Sequence, residues 1–283
     1  MKIICENLDL DQIHNSGQSF RWQKLPDQEK AYLIPAFGKI LEISQTDKEL
    51  TLSCSEEDFN LLWKDYFDLD TDYGALARSI LSSGDEYLIR AYQNSKGVRI
   101  LRQELWEMIV TFMISQNNNI SRIRKSVELI CQRAADSPSE NNSSSGLAPF
   151  PSPDQVPEGF FMDKSLGLGY RDEYLEGLFA YARSNPQWLR QLSGLDYQNA
   201  YSRLLQIKGI GKKVANCICL FGLHHINAFP IDTHIKQLLS LHYPQGFDFK
   251  RYEGFAGIVQ QYMFYDKINN PDAKKHVSNT ART

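Results

Sequence analysis

Residues 205–222 read LQIKGIGKKVANCICLFG. Two lysines, Lys212 and Lys213, directly follow a Gly209-Ile210-Gly211 turn, and what comes after them is almost entirely apolar. Upstream, Asp196 can cap a helix that carries Tyr197, Ala200, Tyr201 and Leu204 on one face. The periodicity predicts a second helix from about Lys212 to Phe221, so the stretch 196–222 is a helix, a glycine hairpin and a helix. The glycines permit a tight turn, and the free N–H groups at the start of the second helix make an anion site. Such a device grips a phosphate without reading base sequence.

Lys213 lies in the first turn of that second helix, where a positive charge opposes the macrodipole. Its neighbours Val214, Ala215, Ile218 and Leu220 are apolar. Desolvation and the helix N-terminus both favour the free amine that an imine-forming lysine needs. Solvation or phosphate contact accounts for the pair as well, with Lys212 the better placed of the two for a phosphate. Downstream, NAFPIDTHIKQLLSL (227–241) places Pro230 ahead of Asp232 and puts Ile235, Leu238 and Leu239 on one helical face. Asp232 reads first as a helix N-cap; the functional reading puts a carboxylate opposite a cationic transition state. The two are compatible, because capping would hold the carboxylate rigid.

The rest of the chain sets limits on these readings. Its 283 residues, 42% of them hydrophobic, suffice for one large domain or two to three smaller ones. No apolar N-terminal leader and no membrane-length apolar run is evident, so an intracellular, non-membrane protein is expected. The five cysteines, Cys5, Cys54, Cys131, Cys217 and Cys219, lack disulfide or zinc spacing and read as reduced thiols. No metal or cofactor is expected; a set of Cys217, Cys219, His224 and His225 fails because residues i and i+2 diverge around a helix. The net charge of −3 argues weakly against a nucleic-acid partner. Local clusters weigh more: Arg203, Lys208, Lys212 and Lys213 stand without an acid among them, and Arg122, Arg124 and Lys125 follow three asparagines.

Residues 1–69 read as β-rich, with strand-like runs in MKIICE and in AYLIPAFGKILEISQTDKELTLSCS. Ser55 can then cap a helix with Phe59, Leu62, Trp63 and Tyr66 on one face. From about Asp70 the pattern is helical, as in Leu105, Met108, Ile109 and Phe112, in Leu175, Leu178, Phe179 and Ala182, and in Phe255, Val259, Tyr262 and Met263. The Ser-, Asn- and Pro-rich residues 134–158 predict a surface loop, and 269–283 a disordered tail.

Five motifs in order, SGQSFRW (16–22), SQNNNISRI (115–123), LGLGYR (166–171), KKVANCICL (212–220) and FPIDTHI (229–235), together resemble the 8-oxoguanine DNA glycosylases of the helix-hairpin-helix DNA glycosylase superfamily. The likeness runs from about Cys5 to Phe264. It implies an α+β fold: an N-terminal antiparallel β-rich domain (1–69) like the TATA-binding protein, then two all-α subdomains (70–283) containing the hairpin at 196–222. It also implies excision of 8-oxoguanine, opposite cytosine in duplex DNA, with strand nicking by a monomer. On this resemblance Lys213 is the nucleophile that forms the Schiff base, and Asp232 is the carboxylate that assists it. Gly17 offers a carbonyl to the lesion's N7–H, where guanine has only an acceptor. Gln260 and Phe264 meet the base's pairing edge and its ring, and Cys217 meets the other ring face. Asn117 fills the vacated stack, Tyr170 wedges beside the opposite base, and Arg122 and Arg171 read the opposite cytosine. Gly209, Gly211, Lys212 and His234 contact phosphates. Asn216 departs from the family pattern, which has an acid there in many members.

Two alternatives stay open on the sequence. One is a helix-hairpin-helix glycosylase of other lesion specificity. An alkyl-base enzyme would lack the lysine, and an endonuclease III-like one usually has a four-cysteine cluster after the hairpin, whereas no cysteine follows Cys219. The other is a non-catalytic DNA-binding module, opposed by the presence of both Lys213 and Asp232.

Overall fold

Apolar side chains recurring at every second position in KILEISQT and ELTL bury one face of each strand. In the computed structural model, which describes residues 1–135 and 147–270, β1 (Lys2–Ile4), β2 (Gln23–Lys24), β3 (Ala31–Ala36), β4 (Lys39–Thr46) and β5 (Glu49–Leu52) form one antiparallel sheet in the order β1-β5-β4-β3-β2. Pairing Ile34 with Leu41 and Ile43 with Leu52 sends these side chains into one core with Leu10, Ile13 and Trp22. Ser55 caps the stretch after the sheet by accepting from the Asp58 amide at 3.0 Å. That stretch continues through a π turn, Phe59–Trp63, and buries Phe59, Trp63 and Tyr66, with Leu62 at the rim of the core.

Helices make up most of the remainder. Leu105–Ile114 is buried on nearly all sides from Glu107 onward, as its continuous apolar run requires. It packs against Lys212–Phe221, with Phe112 and Phe221 stacked at 5.3 Å between ring centroids. Ala256–Asn269 lies against Glu86–Asn94. The sheet unit and the helices exchange side chains: Phe20 sits in the helical core, and Leu101 in the sheet core. Between them Arg21 meets Glu107 at 3.3 Å, both buried. Burial there pushes the Glu107 carboxyl up to about 7, with Arg21 pulling the other way.

The surface-loop expectation for 134–158 needs correction. Ala134 and Ala135 end a helix, Ile120–Ala135, while Leu147, Pro151 and Val156 are buried. Trp106 Nε1 donates to the Pro151 carbonyl at 2.9 Å, and Arg183 Nη1 to that of Val156 at 2.9 Å. A few apolar residues in a polar stretch suffice to fasten it, although composition reads the whole as loop. Residues 136–146 of that stretch, and 271–283 of the tail, lie outside the described residues; Asn269 still ends a helix.

Candidate active site

The hairpin forms as its residues dictate. Asp196 accepts from the Asn199 amide at 2.9 Å to start Tyr197–Leu204, and Lys212–Phe221 begins after Gly211. The two glycines differ. Gly209 has φ +91°, and a Cβ there would stand 2.7 Å from Tyr174 Cγ, so only glycine fits. Gly211 is extended, with nothing within 4 Å of a Cβ. No side chain caps the second helix, so its first N–H groups stay available. Asn216 accepts from the Tyr197 hydroxyl at 2.6 Å and so ties the two helices of the hairpin together.

Lys213 Nζ donates to Ser115 Oγ at 3.4 Å and stands 5.5 Å from the Phe112 ring centroid. Ser115 itself donates to the Phe112 carbonyl at 2.7 Å, which leaves its lone pairs for the lysine. Asp232 caps Thr233–His242 by accepting from the Ile235 amide at 2.8 Å. Cys217, one turn from Lys213, is buried; burial pushes its thiol up, against the pull of the Lys213 charge. Gly17 has φ +74° in a turn pinned from both flanks: Gln261 Nε2 donates to the Ser16 carbonyl at 2.5 Å, and Gln18 Nε2 to that of Arg99 at 2.7 Å.

These residues converge. A cavity of about 50 Å³ is lined by Gly17, Lys213, Cys217, Asp232, Gln260 and Phe264, among others. It opens beside a groove of about 890 Å³ with Asn117, Asn119 and Ile120 on one wall and Ile231, Asp232, His234 and Lys236 on the other. Gln260 is 4% exposed, and its buried Oε1 has no hydrogen-bond partner among the described residues. The Phe264 ring lies close over Gly17, where a Cβ would stand only 3.0 Å from its Cε1.

The three asparagines divide their work. Asn119 accepts from the Arg122 amide at 2.9 Å and starts Ile120–Ala135, and Asn118 Nδ2 donates to the Ile114 carbonyl at 3.2 Å. Asn117 is exposed and left-handed, with φ +44°. Arg122 is exposed; Arg171 is 5% exposed. The Arg171 guanidinium donates to carbonyls of Gln116 (2.8 Å), Asn117 (2.9 Å) and Leu168 (2.9 Å) rather than reaching into the groove. Tyr170 is 53% exposed, with the Arg171 guanidinium 4.5 Å from its ring centroid. Lys212 and His234 are exposed, each in the first turn of its helix.

Sequence reasoning missed Ser115, Gln261 and Phe112. Both Gln260 and Gln261 are buried and both line the small cavity, and nothing in their spacing says that Gln261 is the one that holds the Ser16 carbonyl. Among the described residues no cluster of three or more His, Cys, Asp or Glu is arranged to hold a metal ion, and no helix is long and apolar enough to cross a membrane.

A family model described as the 8-oxoguanine DNA glycosylase N-terminal domain matches residues 2–109. An N-glycosylase/DNA lyase of Arabidopsis thaliana is 29% identical over 273 residues, covering 84% of this chain and 67% of that protein. An N-glycosylase/DNA lyase of Saccharomyces cerevisiae is 27% identical over 274 residues, 86% of this chain and 70% of its own length. Among solved structures, the 8-oxoguanine glycosylase/lyase of Clostridium acetobutylicum, in complex with double-stranded DNA containing cytosine opposite 8-oxoguanine, superposes with a TM-score of 0.85 at 29% identity, over 94% of this chain and 93% of that one. A 3-methyladenine DNA glycosylase from Archaeoglobus fulgidus, 17% identical with a TM-score of 0.72, shares the fold.

Proposed function

Since the chain belongs to the 8-oxoguanine DNA glycosylase family, we propose that it excises 8-oxoguanine from duplex DNA and then nicks the strand, with Lys213 as nucleophile and Asp232 as its partner. The observation that carries this reading is the single cavity shared by Lys213, Asp232, Gly17, Cys217, Gln260 and Phe264.

The chemistry follows from the groups present. The Lys213 amine attacks the sugar C1′, and the electron pair of the C1′–N9 bond leaves with the base, which takes up a proton. The ring oxygen opens to give an imine; loss of a C2′ proton then expels the 3′ phosphate. Asp232, held by its cap, places negative charge beside the positive charge that develops on the sugar. Its fixed position means that no reorganisation is needed when that charge appears.

Base selection uses the unpaired groups. A buried Gln260 Oε1 without a partner is costly until an N–H donor arrives, and the pairing edge of 8-oxoguanine carries donors. The Gly17 carbonyl accepts the lesion's N7–H and repels guanine's N7 lone pair. Cys217 and Phe264 bracket the ring, which requires Phe264 to swing off Gly17 on entry. On the duplex, Asn117 fills the gap left by the extruded base, whose unstacking costs a few kcal/mol. Tyr170 wedges beside the orphaned cytosine, and Arg122 and Arg171 offer it donors, Arg171 by exchanging its carbonyl bonds. Lys212, His234 and the amides after Gly209 and Gly211 hold phosphates. The open space at Gly211 suits close approach of a phosphate, since nothing among the described residues demands glycine there.

Borohydride trapping on an 8-oxoguanine:cytosine duplex tests the reading. Wild type should give a covalent adduct that an undamaged duplex does not, and Lys213→Gln should lose it together with base release, by a thousandfold or more on the order of magnitude usual for a lost nucleophile. Base release that persists in Lys213→Gln would overturn the lysine's role.

A further inference from the structure

Asp68 ends the helical stretch after the sheet in left-handed backbone, φ +52°, and is 1% exposed. Its Oδ1 accepts from Thr71 Oγ1 at 2.9 Å and from Arg102 Nη2 at 3.2 Å, and its Oδ2 from the Tyr73 hydroxyl at 3.1 Å. Arg99 Nη1 donates to its carbonyl at 2.8 Å. The remaining side of Oδ2 faces His224 Nε2 at 3.3 Å, with both side chains buried. Burial pushes the Asp68 carboxyl up, but His224, Thr71 and Arg102 more than offset it, and the group is held below the usual carboxylate range.

His224, also left-handed at φ +53°, follows the Lys212–Phe221 helix within the connection that leads to Asp232. Lys213 therefore stands at one end of a helix whose other end runs into His224, and Asp232 stands at the far end of the connection. Other bonds fasten this connection to the helices: His225 N donates to the Cys219 carbonyl at 2.8 Å, and Gly257 N to that of Ile226 at 2.8 Å. The His224–Asp68 contact fastens it to the sheet unit instead. Arg99 and Arg102 lie behind Asp68, and Tyr73 completes its surroundings.

We infer that the buried His224–Asp68 contact positions the connection between the two helices so that Lys213 and Asp232 face the same cavity, which makes His224 and Asp68 positioning residues for the excision reaction. The inference rests on the function proposed above. A loss of register far from the reacting atoms acts on the rate of chemistry rather than on lesion binding.

Single-turnover excision from an 8-oxoguanine:cytosine duplex, with enzyme in excess, tests it. His224→Leu keeps the bulk while removing the ring nitrogen that meets the carboxylate; Asp68→Asn approaches the pair from the other side, and either one folded variant suffices. Each should slow base release by about tenfold to a hundredfold, with the Kd for a lesion duplex unchanged within about threefold. The double variant should be no slower than the slower single. Thr71→Ala removes a donor from the same carboxylate but leaves the pair, and should lower Tm without slowing excision. Wild-type rates in the folded single variants, or an equal loss in Thr71→Ala, would overturn the inference. Failure of the wild type itself to release base would overturn the functional reading, and the pair's role with it.

Discussion

The groove wall that carries Lys213 and Asp232 and the one that carries Asn117, whose loop Arg171 clamps from outside the lining, are held in different ways. On the first wall, short-range helix chemistry fixes each group: Asp232 is bound by the amide three residues on, and Lys213 rides the first turn of a buried helix. On the second, Asn117 sits exposed in left-handed backbone, and its loop is clamped by Arg171 from a segment far along the chain. A local cap keeps its geometry whatever enters the groove. A clamp made of donors on borrowed carbonyls can be exchanged for other acceptors at little net cost. The contrast assigns preorganisation to the chemistry and adaptability to duplex probing.

The sharpest way to break this comparison is to separate cap from charge at Asp232. Asn caps a helix as well as Asp does, so Asp232→Asn should leave Tm nearly unchanged while slowing base release by about 10²–10³-fold, the scale of a lost electrostatic stabiliser. Asp232→Ala should be as slow and lose about 1 kcal/mol of stability besides. If Asn and Asp turned over alike, the carboxylate would be a cap alone. On the other wall the order reverses. Arg171→Ala strips donors from several carbonyls and should cost about 1–3 kcal/mol in chemical denaturation, whereas exposed Arg122→Ala should stay within about 0.5 kcal/mol. Substituting both should flatten the preference for cytosine opposite the lesion; a change confined to affinity and its salt dependence would make them phosphate ligands.

The smallest expected effect concerns acid. Arg124, on the helix that follows Asn117, donates from Nη2 to the His14 carbonyl at 3.0 Å and so ties the second wall to the sheet unit. Burial first, and the Arg124 charge second, pull His14 down from 6.5 to about 4. Between those values the unfolded chain binds a proton that the folded chain excludes, so stability is lost as pH falls from 6.5 toward 4. His14→Gln should flatten that part of the stability curve. An unchanged curve would show that His14 carries none of it.

The same contrast explains what the sequence made legible. The hairpin, its Asp196 cap, the span Lys212–Phe221 and the Asp232 cap are all local matters of propensity and periodicity, and the structure has them where the residues predict. Arg171 is different, because its partners lie at Gln116 and Asn117 and no pattern around it signals burial. Leu147 and Val156 were hidden by the polar residues around them, since composition averages over a stretch while packing selects single side chains. Gly211 and Gly209 look alike in sequence; the left-handed backbone of Gly209 and the position of Tyr174 distinguish them.

Tyr174 has one more consequence. It fills the space where a side chain at Gly209 would go, and its ring stands 6.1 Å from that of Tyr170. The turn that would hold one strand's phosphate and the tyrosine that would press on the other strand thus share a single aromatic prop. A substitution that removes the Tyr174 ring therefore takes a neighbour from both of them at once.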